Sequence, residues 1–168
     1  MVKNAPNDIS SQDIQLSVAE SVLQSLLPAH CKLELNANHR ILSLLSTDVP
    51  HILAQERFTR NEWSILLTIL ASYPHYAAHE TLLANLTSLS PGDCRKRLQQ
   101  ARQLGSKMLK RELKPIHRAL SGLRAKLNKV HPHLKISLLH DSGYVLMAPY
   151  GKGLDGKGIP DLSIARGN

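Results

Sequence analysis

The side chains with the clearest chemical potential in this sequence are cationic, and they are concentrated in one quarter of the chain. Between Cys94 and Lys135 there are thirteen basic residues and one acidic residue, Glu112, a net charge of +12. The whole chain carries only +8, so the remaining residues sum to −4. Because like charges at helical spacing destabilise a helix, such an excess indicates a polyanionic partner, with nucleic acid as the first candidate.

Two other features look like catalytic or cofactor motifs, but their context argues against both. The glycines of residues 151–156, GKGLDG, match the dinucleotide pattern GxGxxG. Pro160 follows closely and the remaining residues are too few for a βαβ unit, so a flexible tail is the better interpretation. Cys94 falls on the apolar side of its predicted helix, which is typical of an inert buried thiol.

The histidine pairs also lack the spacing of a metal site. His75 and His79 are four residues apart, but Pro74 and a helix boundary prevent them from sharing a helix face. His131 and His133 flank a proline in a predicted loop. We therefore predict that the chain has no metal, no cofactor and no enzymatic activity.

Length and composition favour a single folded domain with tails. The chain has 168 residues, of which 42% are hydrophobic and only 4% aromatic, so aliphatic side chains must build the core. No apolar run approaches the roughly 20 residues of a membrane helix, and the first residues do not resemble a signal peptide. Cys31 and Cys94 lack CxxC spacing, which favours reduced thiols and a cytoplasmic location.

Local patterns divide the chain into four parts. We predict a disordered leader over residues 1–12, an amphipathic helical segment over 13–30, a folded domain over 31–148, and a flexible Gly-rich tail over 149–168. The helix at 13–27 is expected to pack on the domain or on a second subunit.

Within the domain, strands are predicted before Phe58 and after Val130, with helices between them. Two strands at 31–37 and 40–46, and a possible third at 51–57, precede the capping box of Thr59 and Glu62. Helices follow to residue 73, over 79–86 and over 91–104, and a further turn ends at a break before Pro115, which opens a fourth helix. Strands at 135–139 and 144–148 then form a hairpin.

Three stretches are similar to the motifs of one known family. They are FTRNEWSIL at 58–66, PIHRALSGLRAKL at 115–127 and ISLLHDSGYVL at 136–146. These resemble the first helix, the recognition helix and the wing of OmpR/PhoB-type winged helix-turn-helix domains, the DNA-binding output domains of bacterial response regulators. The Gly-Tyr pair at Gly143 is the most specific match. The resemblance implies an α+β winged helix-turn-helix with a small N-terminal antiparallel sheet and a C-terminal wing hairpin.

The sequence departs from this family in three respects. It contains no receiver domain, so aspartyl phosphorylation is not expected to be the switch. In this family a loop before the recognition helix contacts RNA polymerase, and residues 89–114 form a longer segment at that place. RNA polymerase therefore stays a candidate partner, but the contact made by the family's loop cannot be assigned to residues of this chain. Ala119, Ser121 and Gly122 stand where the family usually supplies contacts to bases or phosphates, which predicts limited direct readout.

Carried over position by position, the resemblance implies a set of DNA contacts in the fourth helix and the wing. The candidates are Lys114, Arg118, Ser121, Arg124, Lys126 and His140. Arg124 is expected to make the main contact with a base or a phosphate, whereas Lys126 is expected to meet phosphate or solvent.

A rival recognition helix lies at residues 91–104. Arg95, Gln99 and Arg102 are spaced along one of its faces and could contact DNA in place of the fourth helix. The fourth helix is favoured because it alone runs directly into the hairpin. We accordingly expect Arg124→Ala to weaken specific DNA binding more than Arg95→Ala does.

The sequence as a whole favours a sequence-specific transcription regulator that binds double-stranded DNA. A homodimer is expected because one small module buries little DNA surface, and the helix at 13–27 is a candidate dimer element. Two alternatives stay open: a non-specific DNA-binding protein of the nucleoid or replication accessory kind, and a module that binds an acidic protein through its basic face.

Overall fold

The computed structural model describes residues 11–147 and, among them, the side chains from residue 15 onward. The predicted Gly-rich tail lies outside the described residues, as does the predicted leader apart from Ser11 and Gln12, which belong to the first helix. The described residues form five helices and six strands, which confirms the α+β class. In chain order these are α1 (Ser11–Ser25), β1 (Cys31–Asn36), β2 (Ile41–Ser46), β3 (Ile52–Arg57), α2 (Arg60–Ser72), β4 (Ala77–Ala78), α3 (His79–Leu86), α4 (Pro91–Gln103), α5 (Ser106–Val130), β5 (Lys135–Leu139) and β6 (Gly143–Met147).

The first sheet is an antiparallel meander in the order β1-β2-β3. Asn36 pairs with Ile41, so four residues connect β1 to β2, and Arg40 takes a φ of 54° to close this turn. Leu33 and Leu42 face the core, whereas β3 is largely exposed. The predicted N-terminal antiparallel sheet, including its third strand, is confirmed.

The start of α2 is held by the predicted capping box. The Thr59 hydroxyl accepts from the backbone N–H of Glu62 at 3.3 Å, and the Glu62 carboxylate accepts from the N–H of Thr59 at 2.7 Å. Phe58 packs on Trp63 with ring centroids 6.1 Å apart, which completes a hydrophobic staple. These contacts fix the angle at which the chain leaves the first sheet and enters the helical part.

Helix α5 differs from prediction, because it runs unbroken through Pro115. The expected fourth helix beginning at Pro115 is therefore wrong. Leu113, Ile116 and Leu120 continue one buried stripe across the proline, and a break would expose part of that stripe. Pro115 has no N–H, so the carbonyl of Arg111, four residues earlier, lacks its helical hydrogen bond. Both residues are exposed, so water can bond this carbonyl. Burial of the stripe outweighs the loss of one hydrogen bond.

The second sheet has the order β4-β6-β5 and closes the other end of the helical layer. Its β5–β6 hairpin confirms the prediction, with a loop in which His140 and Asp141 have φ values of 45° and 53°. The two-residue strand β4 pairs with Gly143 and Tyr144 of β6 and was not predicted. This pairing ties the hairpin to the connection between α2 and α3.

The core lies between α2, α5 and the two sheets, with α3 and α4 packed on their flank. Ile65, Leu66 and Ile69 of α2 are fully buried, as are Leu120 and Leu123 of α5. Helix α1 contacts α2 and β1 of its own chain. None of the described helices combines the length and apolar character that crossing a membrane requires.

Candidate nucleic-acid interface

One side of α5 is exposed, and the first half of this side carries five cations. Residues three or four positions apart lie on the same face of a helix. Each of the five cations is three or four positions from another of them, so they lie on one face. We call them the α5 cationic face: Lys107, Lys110, Arg111, Lys114 and Arg118. All five are exposed, and none forms an ion pair with another residue in the range 11–147. An uncompensated row of this kind is suited to a polyanion.

A groove of about 410 Å³ runs beside this face, between α5 and the start of α2. Arg111, Lys114 and Arg118 line it from α5, and Thr59, Asn61 and Glu62 line it from α2. The Glu62 carboxylate already caps the N-terminal end of α2, so the positive charge of the groove comes from the three α5 side chains. The α5 side of the groove is therefore the part suited to phosphate oxygens.

On the opposite flank, Arg124 joins α5 to the hairpin. Its Nε donates to the carbonyl of Ile136 at 3.0 Å, and its guanidinium lies 5.5 Å from the centre of the Tyr144 ring. Arg124 nevertheless stays exposed overall, so its terminal nitrogens can still reach a ligand. Arg124, the predicted main DNA contact, therefore holds the hairpin against the helix in this structure.

Lys126, which the sequence predicts to meet phosphate or solvent, is paired with an acidic residue of its own chain. Its Nζ donates to the Glu62 carboxylate at 2.6 Å and lies 5.7 Å from the Phe58 ring centre. Only 24% of the Lys126 side chain and 9% of the Glu62 side chain are accessible. Burial opposes ionisation of Glu62, but hydrogen bonds from Lys126 and Thr59 outweigh it and hold its pKa below the usual value. Lys126 therefore fixes α5 to the capping box of α2.

Gly122 is required by this same contact. A Cβ built on Gly122 would lie 2.1 Å from Oε1 of Glu62, whose carboxylate is already held by Thr59 and Lys126. Of the three small residues noted in the sequence, Ala119 is buried, Gly122 is half-buried and Ser121 is exposed. Ala119 and Gly122 therefore serve the packing of α5, and Ala119 also borders the groove beside α2.

Gly122→Ala is expected to destabilise the protein, although the same change in an exposed helix interior stabilises by about 1 kcal/mol. The added methyl would displace the Glu62 carboxylate and break the capping box, at a net cost of about 1–2 kcal/mol. Urea unfolding of the two proteins measures the difference. Gly92→Ala in α4 is the matched control, because its nearest neighbour would be Ser90 Oγ at 3.8 Å. A stabilised Gly122→Ala protein would contradict the role assigned to Glu62.

The rival helix α4 carries cations that are partly neutralised. Arg95 donates to Glu80 at 3.2 Å, and Arg97 pairs with Glu112 at 2.5 Å. Arg102 is exposed near the end of α4 and faces the tip of the hairpin across a cavity. His140 is exposed at that tip. The structure thus places Arg95 apart from the α5 cationic face and brings Arg102 and His140 toward one another.

Sequence reasoning missed several residues that shape this region. Lys107, Lys110 and Arg111 were counted as charge but not assigned to the recognition helix, because a break was expected at Pro115. A continuous helical projection from residue 106 would have placed them with Lys114. The buried side chain of His79, which packs on Tyr144 at 5.5 Å between ring centroids, gave no signal in the sequence.

Within residues 11–147, no group of three or more His, Cys, Asp or Glu side chains is arranged to hold a metal ion. Both cysteines are buried free thiols. Comparison of the chain with protein-family models, with curated proteins and with solved structures gives no match. The functional argument therefore depends on the geometry of the α5 cationic face and its two flanks.

Proposed function

We propose that this chain is a winged-helix protein that binds double-stranded DNA and regulates transcription. In this proposal α5 enters the major groove with its cationic face, and the β5–β6 hairpin lies along the neighbouring backbone as the wing. The single observation that carries the proposal is the row of five exposed cations on one side of α5, without an acidic partner in the described residues. Such a row is costly in isolation and favourable against phosphates.

The order of elements supports the same interpretation. A helix (α2), a short strand (β4), a second helix (α3), a long helix (α5) and a hairpin (β5–β6) follow one another, and β4 pairs with β6. This is the succession expected of a winged helix, with α4 inserted before the recognition helix. The insertion occupies the region where the similar family contacts RNA polymerase, so that contact is not part of the proposal.

The geometry favours α5 over α4 as the DNA-contacting helix. Two arginines of α4 are already paired with Glu80 and Glu112, whereas the α5 cationic face has no such compensation among residues 11–147. Three cations of this face, Arg111, Lys114 and Arg118, also line the groove beside α2. Contacts from this face would therefore be made chiefly to the DNA backbone.

Sequence-tolerant DNA binding is a second candidate function, and one observation favours it. The centre of the exposed side of α5 offers Ser121 and Ala125, whereas Ala119 is buried and Gly122 packs on Glu62. Few side chains are left to read base edges, so DNA shape and phosphate contacts would dominate.

A homodimer remains part of the regulator proposal. Its contact surface is not the apolar side of α1, where Ala19 and Leu23 are buried in their own chain.

The test is a titration of the full chain against a labelled duplex between about 50 and 300 mM salt. If the five cations each neutralise one phosphate, log K falls with log salt with a slope of about −4 to −5. Selection from random duplexes then separates the two candidate functions, because only a regulator enriches a defined motif. An affinity that barely changes with salt would contradict both and favour an acidic protein as the partner.

A further inference from the structure

A cavity of about 600 Å³ lies between α3, α4, α5 and the tip of the hairpin, on the flank away from α2. This volume is within the range of small-molecule sites, roughly 300–1,000 Å³. Four separate elements form its walls, so its shape depends on how the hairpin sits against α5. Lys110 is the member of the α5 cationic face that borders this space, and the other four lie outside its lining.

His79 is the residue of the cavity whose ring nitrogens lack hydrogen-bond partners in the described part of the chain, and a ligand could supply them. Its side chain lines the cavity and is only 3% exposed, yet neither ring nitrogen has a hydrogen-bond partner among residues 11–147. Its backbone N–H donates to the carbonyl of Ser142 at 3.1 Å and its ring packs on Tyr144, but neither contact satisfies a ring nitrogen. A buried polar group without a partner costs about 1–3 kcal/mol, and native proteins rarely leave one so.

The charged groups around His79 indicate the sign of the ligand. Arg102 and Lys110 line the cavity as permanent cations, and neither forms an ion pair within the part of the chain that the structure describes. Asp141 is the one acid in the lining. Burial, together with the nearby charges of Arg102 and His117, lowers the pKa of His79, so its ring is a neutral donor at neutral pH.

The remaining lining indicates that the ligand also has an apolar part. Leu109, Leu113, Leu138 and Tyr144 contribute side chains to the cavity. An inorganic ion would leave this surface unused, whereas an aromatic or branched aliphatic group would cover it and gain free energy from the burial.

We propose that this cavity binds a small organic anion, a carboxylate or phosphate monoester attached to an apolar body. The anionic group accepts a hydrogen bond from the His79 ring and is attracted by Arg102 and Lys110. The apolar body lies against the leucines and Tyr144. This site does not depend on DNA binding, although an occupant would contact both α5 and the hairpin.

The probe is 2-naphthoate, with the neutral analogue 2-naphthalenemethanol and inorganic phosphate as comparisons. Calorimetry on the full chain should give saturable binding of one naphthoate per chain, at least about tenfold tighter than either comparison ligand. In protein labelled with ¹⁵N-histidine, naphthoate should shift the ring nitrogens of His79. Absence of saturable binding, or binding that leaves the His79 ring signals unchanged, would overturn the proposal.

Two arginine variants of α4 make the test specific to this cavity. Arg102→Gln should weaken naphthoate binding about tenfold, whereas Arg95→Gln, which removes the same charge outside the cavity, should not. Equal weakening by both would show only general attraction to a cationic protein, against the proposal. A third outcome also overturns the proposal. If duplex DNA added without naphthoate shifts the His79 ring signals, and duplex DNA also displaces bound naphthoate, the cavity binds a DNA phosphate. A chain that binds naphthoate but not DNA would support this site and refute the proposed function.

Discussion

Replacing Lys114 and Arg118 together with glutamine is expected to weaken duplex binding by about tenfold to a hundredfold at physiological salt. Both side chains are exposed, both line the groove beside α2, and neither has an acidic partner among the described residues. Their loss removes two phosphate contacts, so the slope of log K against log salt should fall in magnitude by about 2. The fold should be unaffected, because neither side chain packs in the core.

The matched control is the double variant Arg95→Gln and Lys96→Gln in α4. It removes the same two charges from the exposed surface of the rival helix and changes the net charge of the chain equally. If α5 is the DNA-contacting helix, this control loses only the small, long-range part of the attraction, which salt screens. Fluorescence anisotropy on one labelled duplex, repeated at several salt concentrations, measures both variants.

The reverse ranking would place α4 in the groove and reassign the interface. Equal losses in the two double variants would mean that DNA affinity depends on net charge alone, without a defined contact helix.

Arg124 is a less direct probe of DNA contact than the sequence suggested. Its Nε donates to the carbonyl of Ile136, so Arg124→Ala also loosens the hairpin, and reduced affinity would not distinguish a lost DNA contact from a displaced hairpin.

The elements that local chemistry encodes could be predicted from the sequence. The capping box at Thr59, the staple of Phe58 on Trp63, and the Ser90 cap of α4 each depend on residues within a few positions of one another. The alternating strands of the first sheet and the β5–β6 hairpin are similarly local. For such elements the sequence pattern contains the physical cause.

Features that depend on distant contacts could not be predicted. Pro115 usually marks a helix boundary, and only the buried stripe of α5 against α2 explains why the helix continues through it. Lys126 belongs to a run of basic residues, and nothing nearby in the sequence indicates that Glu62, 64 residues earlier, neutralises it. Strand β4 has two residues and exists only because β6 lies beside it. The candidate site therefore has a predictable charge but an unpredictable arrangement.

Gly143→Ala is expected to cause the largest loss of stability of any single methyl addition considered, about 3 kcal/mol. A Cβ at Gly143 would lie 2.1 Å from the carbonyl oxygen of Ala77 and 2.7 Å from the Tyr76 ring. The oxygen belongs to the backbone of β4, so no side-chain rotation can relieve the contact. Either β4 separates from β6 or the hairpin moves away from the helices. This close approach gives a physical reason for the glycine in the Gly-Tyr pair of the hairpin.

Urea unfolding measures the stability of Gly143→Ala, and amide exchange at His79, whose N–H donates to the carbonyl of Ser142, reports whether the hairpin still lies against β4. Adding Ala77→Gly should not rescue the protein, because the clash involves the backbone of residue 77 and not its side chain. A loss below about 0.5 kcal/mol, or a rescue by Ala77→Gly, would show that the strands are not packed this closely. Since Arg124 of α5 contacts Ile136 and Tyr144 of the hairpin, separation of β4 from β6 should also loosen the hairpin from α5. DNA affinity of Gly143→Ala should then fall together with its stability, although the α5 cationic face itself is unaltered.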